Sequence, residues 1–196
     1  MLTKAYFPVA SGDHPMRRAF FLLTLLVTTF TAHANAQSDW KAKLNTELPL
    51  LGHRNWILIV DSAYPLQVSP GVETIDTNDG MIEVVQTVLR QIDNSIHVRP
   101  DIFMDAELPY VSEDDVPGVS VYRRNIADAL HDYQIQPQLH DKLISQIAET
   151  GQSFHVLVLK TRLTIPYSSV FIRLNCKYWP TDAETRLRAK MSAAKP

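Results

Sequence analysis

The chain has little cysteine, few glycine-based motifs and no excess of positive charge. Cys176 is the single cysteine among 196 residues, which excludes an intrachain disulfide and a zinc site built from cysteines. Neither a phosphate-binding glycine loop nor a Gly-x-Ser-x-Gly motif occurs. The formal net charge of −2 gives nucleic acid and anionic lipid no basic surface to bind. We therefore expect no nucleic-acid partner.

An apolar run near the N-terminus predicts a secretory signal peptide. The basic start Met16-Arg17-Arg18 leads into AFFLLTLLVTTF, which is too short to span a bilayer as a permanent helix. Small residues follow at 32–34 and 34–36, and either triplet fits a cleavage site. The cleavage region contains no cysteine for a lipid anchor, so we expect a periplasmic or secreted protein without a stable membrane anchor. A cytosolic protein with a buried N-terminal helix is the alternative, but the run lacks an amphipathic period.

The chain divides into a leader, one domain and a tail. The leader is predicted at 1–36, with Met16 as an alternative start of translation, a single domain at 37–180, and a polar tail at 181–196. Cleavage after Ala36 leaves 160 residues, enough for one domain with a real core, carrying 16 basic and 20 acidic residues. The tail is expected to be a helix or a frayed end.

Helices and strands alternate along the predicted domain. Apolar runs predict strands within 56–64, 100–108, 153–161 and 169–179. Helical periodicity predicts helices at 39–51, at 81–92 after a Thr77 or Asn78 cap, at 119–133, and from Pro137 to Gly151. Such alternation favours a three-layer α/β/α fold around a largely parallel or mixed sheet.

The stretch LGHRNWILIVDSAYP places His53 and Asp61 on either side of a strand. Ligands of open α/β sheets bind beyond the carboxyl ends of the strands, where Asp61 is predicted to lie. Eight extended residues span roughly 26 Å, so the two side chains meet only if the chain folds back, the strand is short, or another subunit completes the pocket. The alternative is that His53 caps a helix and Asp61 ends a strand.

This stretch, GHRNWILIVDSAYP, resembles the Gly-His, apolar strand and Asp-x-x-x-Pro of the D-ribose pyranase and L-fucose mutarotase family. IFMDAELPYVSEDDVPGVSVYRRNIADAL is similar to the second strand, acidic loop and Tyr-Arg-rich helix of the fucose branch, and PYSSVFIRL to a C-terminal strand motif. The resemblance covers roughly residues 44–174. It implies a cofactor-independent sugar isomerase close to the fucose branch, a monosaccharide partner, and a ring-like homo-oligomer, commonly a decamer. The leader and the departures from the family motifs would make this chain an exported, divergent member.

The resemblance also implies roles for particular residues. His53 matches the histidine that shuttles a proton at the anomeric centre, and Asp61 the aspartate that orients this site. Tyr167 matches the tyrosine whose hydroxyl holds the sugar, and Ser169 stands where the family has asparagine. His140 aligns with a second family histidine if an insertion is allowed.

These residue types suit mutarotation, in which a hemiacetal ring opens and closes on its other face. Imidazole exchanges protons near neutral pH, so it serves as acid and as base without a metal or cofactor. A carboxylate accepts hydrogen bonds from sugar hydroxyls, and the ring of Tyr64 or Trp56 either covers the apolar face of the sugar or packs in the core. We therefore expect a sugar mutarotase or pyranase-like isomerase, and the alternative is a non-catalytic carbohydrate-binding or structural protein with the same fold.

Two further clusters of polar residues are candidates for a binding site. His131, His140 and Asp141 lack the tight spacing of metal ligands and are predicted to be solvated helix residues. The acidic run 113–115 is predicted to be a surface loop, with contact to a hydroxylated ligand or a cation as the alternative. No metal site is expected.

Overall fold

The computed structural model describes residues 39–194, which form a six-stranded sheet with helices on both faces. In chain order the strands and α-helices are α1 (Trp40–Glu47), β1 (Trp56–Val60), β2 (Val72–Asp76), α2 (Met81–Asn94), β3 (Val98–Asp105), α3 (Val119–Ala129), β4 (Ile135–Gln138), α4 (His140–Thr150), β5 (Val156–Lys160), β6 (Val170–Cys176) and α5 (Thr181–Ala193). Two short 3₁₀ helices lie at Leu48–Leu50 and Leu108–Tyr110.

The strands lie side by side in the order β2-β5-β1-β6-β3-β4. Strand β6 runs antiparallel to both neighbours, β1 and β3, and the other pairs are parallel. The sheet is therefore mixed, and the α/β fold class predicted from the sequence is confirmed. Strands β1 to β5 end at the same end of the sheet where β6 begins, and we call this the site end.

Strand β1 lies in the middle of the core, and all five of its residues are buried. Ile57 and Ile59 belong to the apolar cluster that also contains buried residues of α1, α2 and α3. Trp56, Leu58 and Val60 belong to a second cluster, which contains buried residues of α4. Side chains of a strand alternate between the two faces of the sheet, so an uninterrupted apolar run is what a strand covered on both faces requires.

The helices bury apolar stripes against the sheet, except for α5. In α2 the buried residues repeat at helical spacing, as predicted: Met81, Val84, Val85, Val88, Leu89 and Ile92. Helix α5, within the predicted polar tail, has no buried residue. Trp56 packs 5.4 Å from the Phe103 ring, so it belongs to the core rather than to a sugar platform.

Three local features differ from the sequence-based expectation. Strands β2 and β4 were not predicted, and β4 includes Pro137, where a helix was expected to begin; helix α4 begins at His140 instead. The N-cap of α2 is Gly80 rather than Thr77 or Asn78. The Thr77 hydroxyl instead donates to the carbonyl of Lys160, so this hydrogen bond connects the end of β5 to the loop between β2 and α2.

Within residues 39–194, no helix combines the length and the apolar character needed to cross a membrane. The predicted leader, its cleavage sites and the alternative start at Met16 lie outside the described residues.

Candidate functional site

Loops from several strands converge at the site end of the sheet and enclose a cavity of about 500 Å³. Asp61 follows β1, His140 follows β4, and Tyr167 precedes β6. The cavity is lined by Asp61, Ser62, Ala63, Tyr64, Pro65, His140, Ile144, Thr164, Ile165, Pro166 and Tyr167. The structure thus brings together four residues that the sequence analysis selected: Asp61, Tyr64, His140 and Tyr167.

Asp61 shapes the loop that follows β1. Its Oδ1 accepts a hydrogen bond from the backbone N–H of Ala63 at 2.8 Å, and its carbonyl accepts one from Tyr64 N–H at 3.3 Å. This short-range bonding is the Asx turn that aspartate favours after a strand. Asp61 remains half-buried, so a carboxylate oxygen is available to a ligand in the cavity.

Tyr64 lines the cavity and also belongs to the core. The side chain is buried, and its hydroxyl accepts a hydrogen bond from Gln67 Nε2 at 3.0 Å. Burial raises the pKa of the Tyr64 phenol, with smaller contributions from Asp105 and Asp61, so the phenol is neutral at physiological pH. Lys160 Nζ donates to the Tyr64 carbonyl at 2.9 Å and anchors the loop to β5.

Tyr167 is held in an unfavourable backbone conformation. Its φ of 56° lies in the left-handed region, which glycine adopts easily and tyrosine rarely does. Two hydrogen bonds fix this turn: Ser168 Oγ donates to the Ile165 carbonyl at 2.6 Å, and the buried Tyr122 hydroxyl donates to the Ser168 carbonyl at 2.5 Å. The turn is thus over-determined by buried contacts, and it leaves the Tyr167 side chain partly exposed at the cavity.

His140 and Asp105 form a hydrogen-bonded pair beside the cavity. His140 Nδ1 lies 3.1 Å from Asp105 Oδ1; the Asp105 side chain is 0% exposed and that of His140 is 35% exposed. The Tyr167 ring packs edge-on against the His140 ring with centroids 5.5 Å apart. Glu107 fixes the backbone, since its two carboxylate oxygens accept from His140 N–H at 3.0 and 3.2 Å.

Burial governs the protonation of Asp105. Desolvation raises its pKa from 3.8 to about 6, while the bond to His140 opposes this rise. Its second oxygen, Oδ2, is buried and has no hydrogen-bond partner among the described residues. An ionised Asp105 accepts the Nδ1 proton of His140, which leaves Nε2 as the nitrogen able to exchange a proton with a ligand.

The structure places two predicted residues away from this cavity. Ser169 is buried, with 1% exposure, and is not among the lining residues. His53 is exposed and precedes β1, at the opposite end of the sheet from Asp61. Strand β1 is short, at five residues, but it still separates these two positions by about 17 Å of extended chain.

His53 lies in a tight turn that a side chain closes. Asn55 N–H donates to the Gly52 carbonyl at 3.2 Å, Gly52 N–H donates to Asn55 Oδ1 at 2.7 Å, and Arg54 has a φ of 74°. This turn borders a separate cavity of about 440 Å³ that is also lined by Arg99 and by residues around the start of α5.

Sequence analysis did not identify Asp105, Glu107 or Tyr122 as parts of the site. Asp105 carries the signal that selected Asp61, because it is an acidic residue at the carboxyl end of an apolar strand. Glu107 and Tyr122 leave no comparable signal, since their roles depend on contacts with segments 33 and 46 residues away.

The acidic run 113–115 lies outside the cavity lining and is exposed. Glu113 accepts hydrogen bonds from Gly118 N–H and Ser120 N–H at the start of α3, at 2.5 and 2.8 Å. These bonds lower the Glu113 pKa to about 2. The Glu113 carboxylate therefore caps the N-terminus of α3.

Comparisons with known proteins give similarities at the level of solved structures. No protein-family model and no curated protein matches the chain. RbsD from Bacillus subtilis, solved with D-ribose, is 14% identical with a TM-score of 0.49, over 74% of this chain and 98% of that one. The fucose mutarotase from Streptococcus pneumoniae, solved with L-fucose, is 21% identical with a TM-score of 0.43, over 74% of this chain and 97% of that one. FucU from Bifidobacterium longum is 17% identical with a TM-score of 0.46, over 68% and 92%.

Proposed function

We propose that the cavity at the site end binds a monosaccharide and that the protein interconverts its anomers or ring forms by acid-base catalysis. The observation that carries this proposal is the His140–Asp105 pair, an imidazole held by a fully buried carboxylate beside the cavity. The volume of about 500 Å³ lies within the range of small-molecule sites. The resemblance of residues 52–65 to the ribose pyranase and fucose mutarotase family supports the same chemistry.

His140 is the acid-base group that this chain itself presents to the cavity. In the proposed reaction, Nε2 takes the proton of the anomeric hydroxyl, the bond between the anomeric carbon and the ring oxygen breaks, and a protonated second histidine, assigned below to His53 of a neighbouring subunit, gives its proton to the ring oxygen. The carbonyl group of the open chain then rotates about the bond to its neighbouring carbon. The ring closes on the other face of the carbonyl group by the reverse proton transfers. Asp105 supports both directions, because its carboxylate stabilises the imidazolium that forms in between.

The remaining cavity residues are proposed to bind the sugar. The Asp61 carboxylate accepts hydrogen bonds from hydroxyl groups, and the Tyr167 hydroxyl both donates and accepts. The ring of Tyr64, the buried aromatic residue of the lining, is proposed to offer an apolar surface to the C–H face of a sugar ring.

His53 reaches such a site only from another copy of the chain. The resemblance implies a ring-like homo-oligomer, commonly a decamer, with shared sites, and a head-to-tail ring interface joins two different surfaces of the subunit. We therefore propose that His53 of one subunit provides the second proton-transfer group beside His140 of its neighbour.

Mixed oligomers test this sharing of the site. His53→Ala and His140→Ala chains are each expected to be inactive alone. Random co-assembly should restore about a quarter of the sites, because each active site then needs the intact residue from two different chains. No recovery despite proven mixing, or a monomer in light scattering, would contradict the shared site.

Catalysis itself is tested by magnetisation-exchange NMR between anomers, run over a panel of pentoses and hexoses. The wild-type chain is expected to accelerate exchange of at least one sugar, and His140→Ala should reduce the acceleration by roughly 10²- to 10⁴-fold. His131→Ala is the matched control, since that imidazole is exposed beside Asp132 and lies outside the cavity lining.

A non-catalytic carbohydrate-binding protein is the second candidate. The burial of Ser169 favours it, because the family's asparagine position then offers no side chain to the sugar. Sugar binding by the wild-type chain without any acceleration of exchange would select this alternative.

We also propose export through the leader 1–36. Sequencing of the mature N-terminus is expected to find a start near residue 35 or 37, and an intact Met1 on cytosolic protein would refute it.

A further inference from the structure

A cluster of two carboxylates and an imidazole lies at the opposite end of the sheet from the sugar cavity. Glu47 is the last residue of α1, Glu73 lies in β2, and His155 directly precedes β5. Among the described residues it is the one group of at least three acidic, histidine or cysteine side chains whose ligand atoms all lie within 4.8 Å of one another. We propose that Glu47, Glu73 and His155 bind a divalent transition-metal ion, for which Zn²⁺ is the probe.

The backbone already holds these three residues in place. Parallel pairing of β2 with β5 sets Val72 opposite Val156, so Glu73 in β2 lies beside the start of β5, which His155 directly precedes. The His155 carbonyl accepts from Trp56 N–H at 3.1 Å and from Asn55 Nδ2 at 3.3 Å, which ties its backbone to β1 and to the preceding turn. A ligand set on three elements is therefore positioned by the fold rather than by the ion.

Two buried atoms of the cluster lack hydrogen-bond partners. Glu47 Oε2 and His155 Nε2 are both buried and make no hydrogen bond among the described residues; they lie 3.7 Å apart, within ion-pair distance but beyond hydrogen-bond distance. Glu73 Oε2 lies 4.0 Å from the same nitrogen. Buried polar atoms are normally hydrogen-bonded, so a ligand that contacts both atoms would complete their bonding.

The separations fit a small cation between the ligands. Zinc binds imidazole nitrogen and carboxylate oxygen at about 2.0–2.2 Å, so two donors about 4 Å apart are bridged by one ion. The ligand oxygens of Glu47 and Glu73 lie within 4.8 Å of each other, and the Glu73 side chain, 38% exposed, has room to shorten this distance once its bond to Lys43 is released. The set of one nitrogen and two oxygens selects a borderline ion such as Zn²⁺ over Mg²⁺ or Ca²⁺, which prefer oxygen alone.

Lys43 is the competing cation. Its Nζ lies 2.7 Å from Glu47 Oε1 and 2.9 Å from Glu73 Oε1, so it pairs with the outer oxygen of each glutamate and leaves the Oε2 atoms toward His155. The Lys43 side chain is partly exposed and can turn to solvent. Replacing it by an uncharged residue leaves both carboxylates without a counterion, so an ion at this site should then bind more tightly.

Zinc binding is measured by isothermal titration of the full, tag-free chain after chelator treatment, with thermal unfolding recorded in parallel. The wild-type chain is expected to bind one Zn²⁺ and to unfold at a temperature that rises with zinc concentration. His155→Ala and Glu47→Gln should weaken binding at least tenfold, and Lys43→Met should strengthen it. Glu73→Gln serves as a further variant at a more exposed position should either of the first two fail to fold.

His131→Ala is the matched control, because His131 lies 3.2 Å from a single exposed carboxylate, Asp132, and is expected to bind zinc as the wild type does. The proposal is overturned if the wild-type chain binds no stoichiometric zinc. It is equally overturned if His155→Ala binds like the wild type, or if Mg²⁺ competes with Zn²⁺ at equal concentration, since imidazole would then take no part.

Discussion

Replacing Asp105 by asparagine should stabilise the protein at neutral pH while removing its proposed catalytic support. The Asp105 side chain is fully buried, and desolvation raises its pKa from 3.8 to about 6. A carboxyl group with a raised pKa holds its proton more tightly in the folded chain than in the unfolded chain. Between pH 4 and 6 the unfolded chain has lost this proton and the folded chain retains it, so this group makes stability fall as pH rises.

The pKa shift sets the size of this effect. One pKa unit corresponds to 1.36 kcal/mol, so the ionised side chain lowers the free energy of unfolding by about 3 kcal/mol above the folded pKa and by almost nothing below pH 4. Asparagine is neutral at every pH. The free energy of unfolding of Asp105→Asn minus that of the wild type should therefore increase by about 3 kcal/mol from pH 3.5 to pH 8.

Urea denaturation at five pH values between 3.5 and 8 measures this difference, and any constant cost of the amide cancels from its pH dependence. Asp101→Asn is the matched control on the same strand, because Asp101 is paired with Arg99 at 3.0 Å and with Arg173 at 2.9 Å. Losing these charge-assisted bonds should destabilise the chain at neutral pH by about 1.5–3 kcal/mol. If the difference in free energy of unfolding between Asp105→Asn and the wild type does not change with pH, or decreases toward pH 8, Asp105 is not a buried carboxyl group with a raised pKa.

The same variant separates sugar binding from catalysis. An asparagine amide can donate a hydrogen bond to His140 Nδ1, which would place the imidazole proton on Nε2 and remove the basic nitrogen from the cavity. Exchange should therefore drop by orders of magnitude, with sugar affinity changed little, since Asp105 does not line the cavity. A gain of stability with unchanged exchange would show that Asp105 does not support the reaction.

Three further substitutions have expected outcomes. Tyr122→Phe leaves the Ser168 carbonyl without its buried donor and should lower the free energy of unfolding by about 1–3 kcal/mol in urea titrations; an unchanged midpoint would mean that water replaces the hydroxyl. Gly71→Ala would place a Cβ 2.4 Å from a backbone carbonyl oxygen and should cost about 1–3 kcal/mol, whereas Gly52→Ala meets no atom within 4 Å; equal thermal shifts for the two would contradict the packing at Gly71. His53→Ala should abolish anomer exchange and change stability by less than about 1 kcal/mol, because the side chain is exposed; an unfolded variant would make His53 structural.

The central elements of the fold follow from local sequence, and the lateral strands do not. Strand β1 is an unbroken apolar run and α2 has a helical apolar period, so each is recognisable without its partners. Strand β2 reads VETID and β4 reads IQPQ, with polar residues and a proline, and both lie at the lateral edges of the sheet. Edge strands tolerate proline and polar residues, so only pairing with β5 and β3 defines them.

The site was predictable only in part, for a similar reason. Asp61 and Tyr64 follow β1 within four residues, so the end of one recognisable strand places both. The pairing of Asp105 with His140 depends on the parallel alignment of β3 with β4, in which Asp105 lies opposite Gln138, two residues before His140. Because β4 carries no strand signal, the contact that gives His140 its proposed chemistry was not visible in the sequence. The resemblance to a known family identified His140 as a site residue but did not identify Asp105, with which it pairs.

Two residues at or beside the cavity depart from the conformations and pairings that stability alone would favour. Tyr167 occupies the left-handed region of φ, and Asp105 keeps a buried oxygen unpaired among the described residues. Each costs free energy that a glycine or an apolar side chain would avoid, and hydrogen bonds from Tyr122 and to Glu107 hold the adjoining backbone in place. Such local conflicts are typical of positions that serve a ligand rather than the packing of the chain, and they support this cavity as the place of the proposed chemistry.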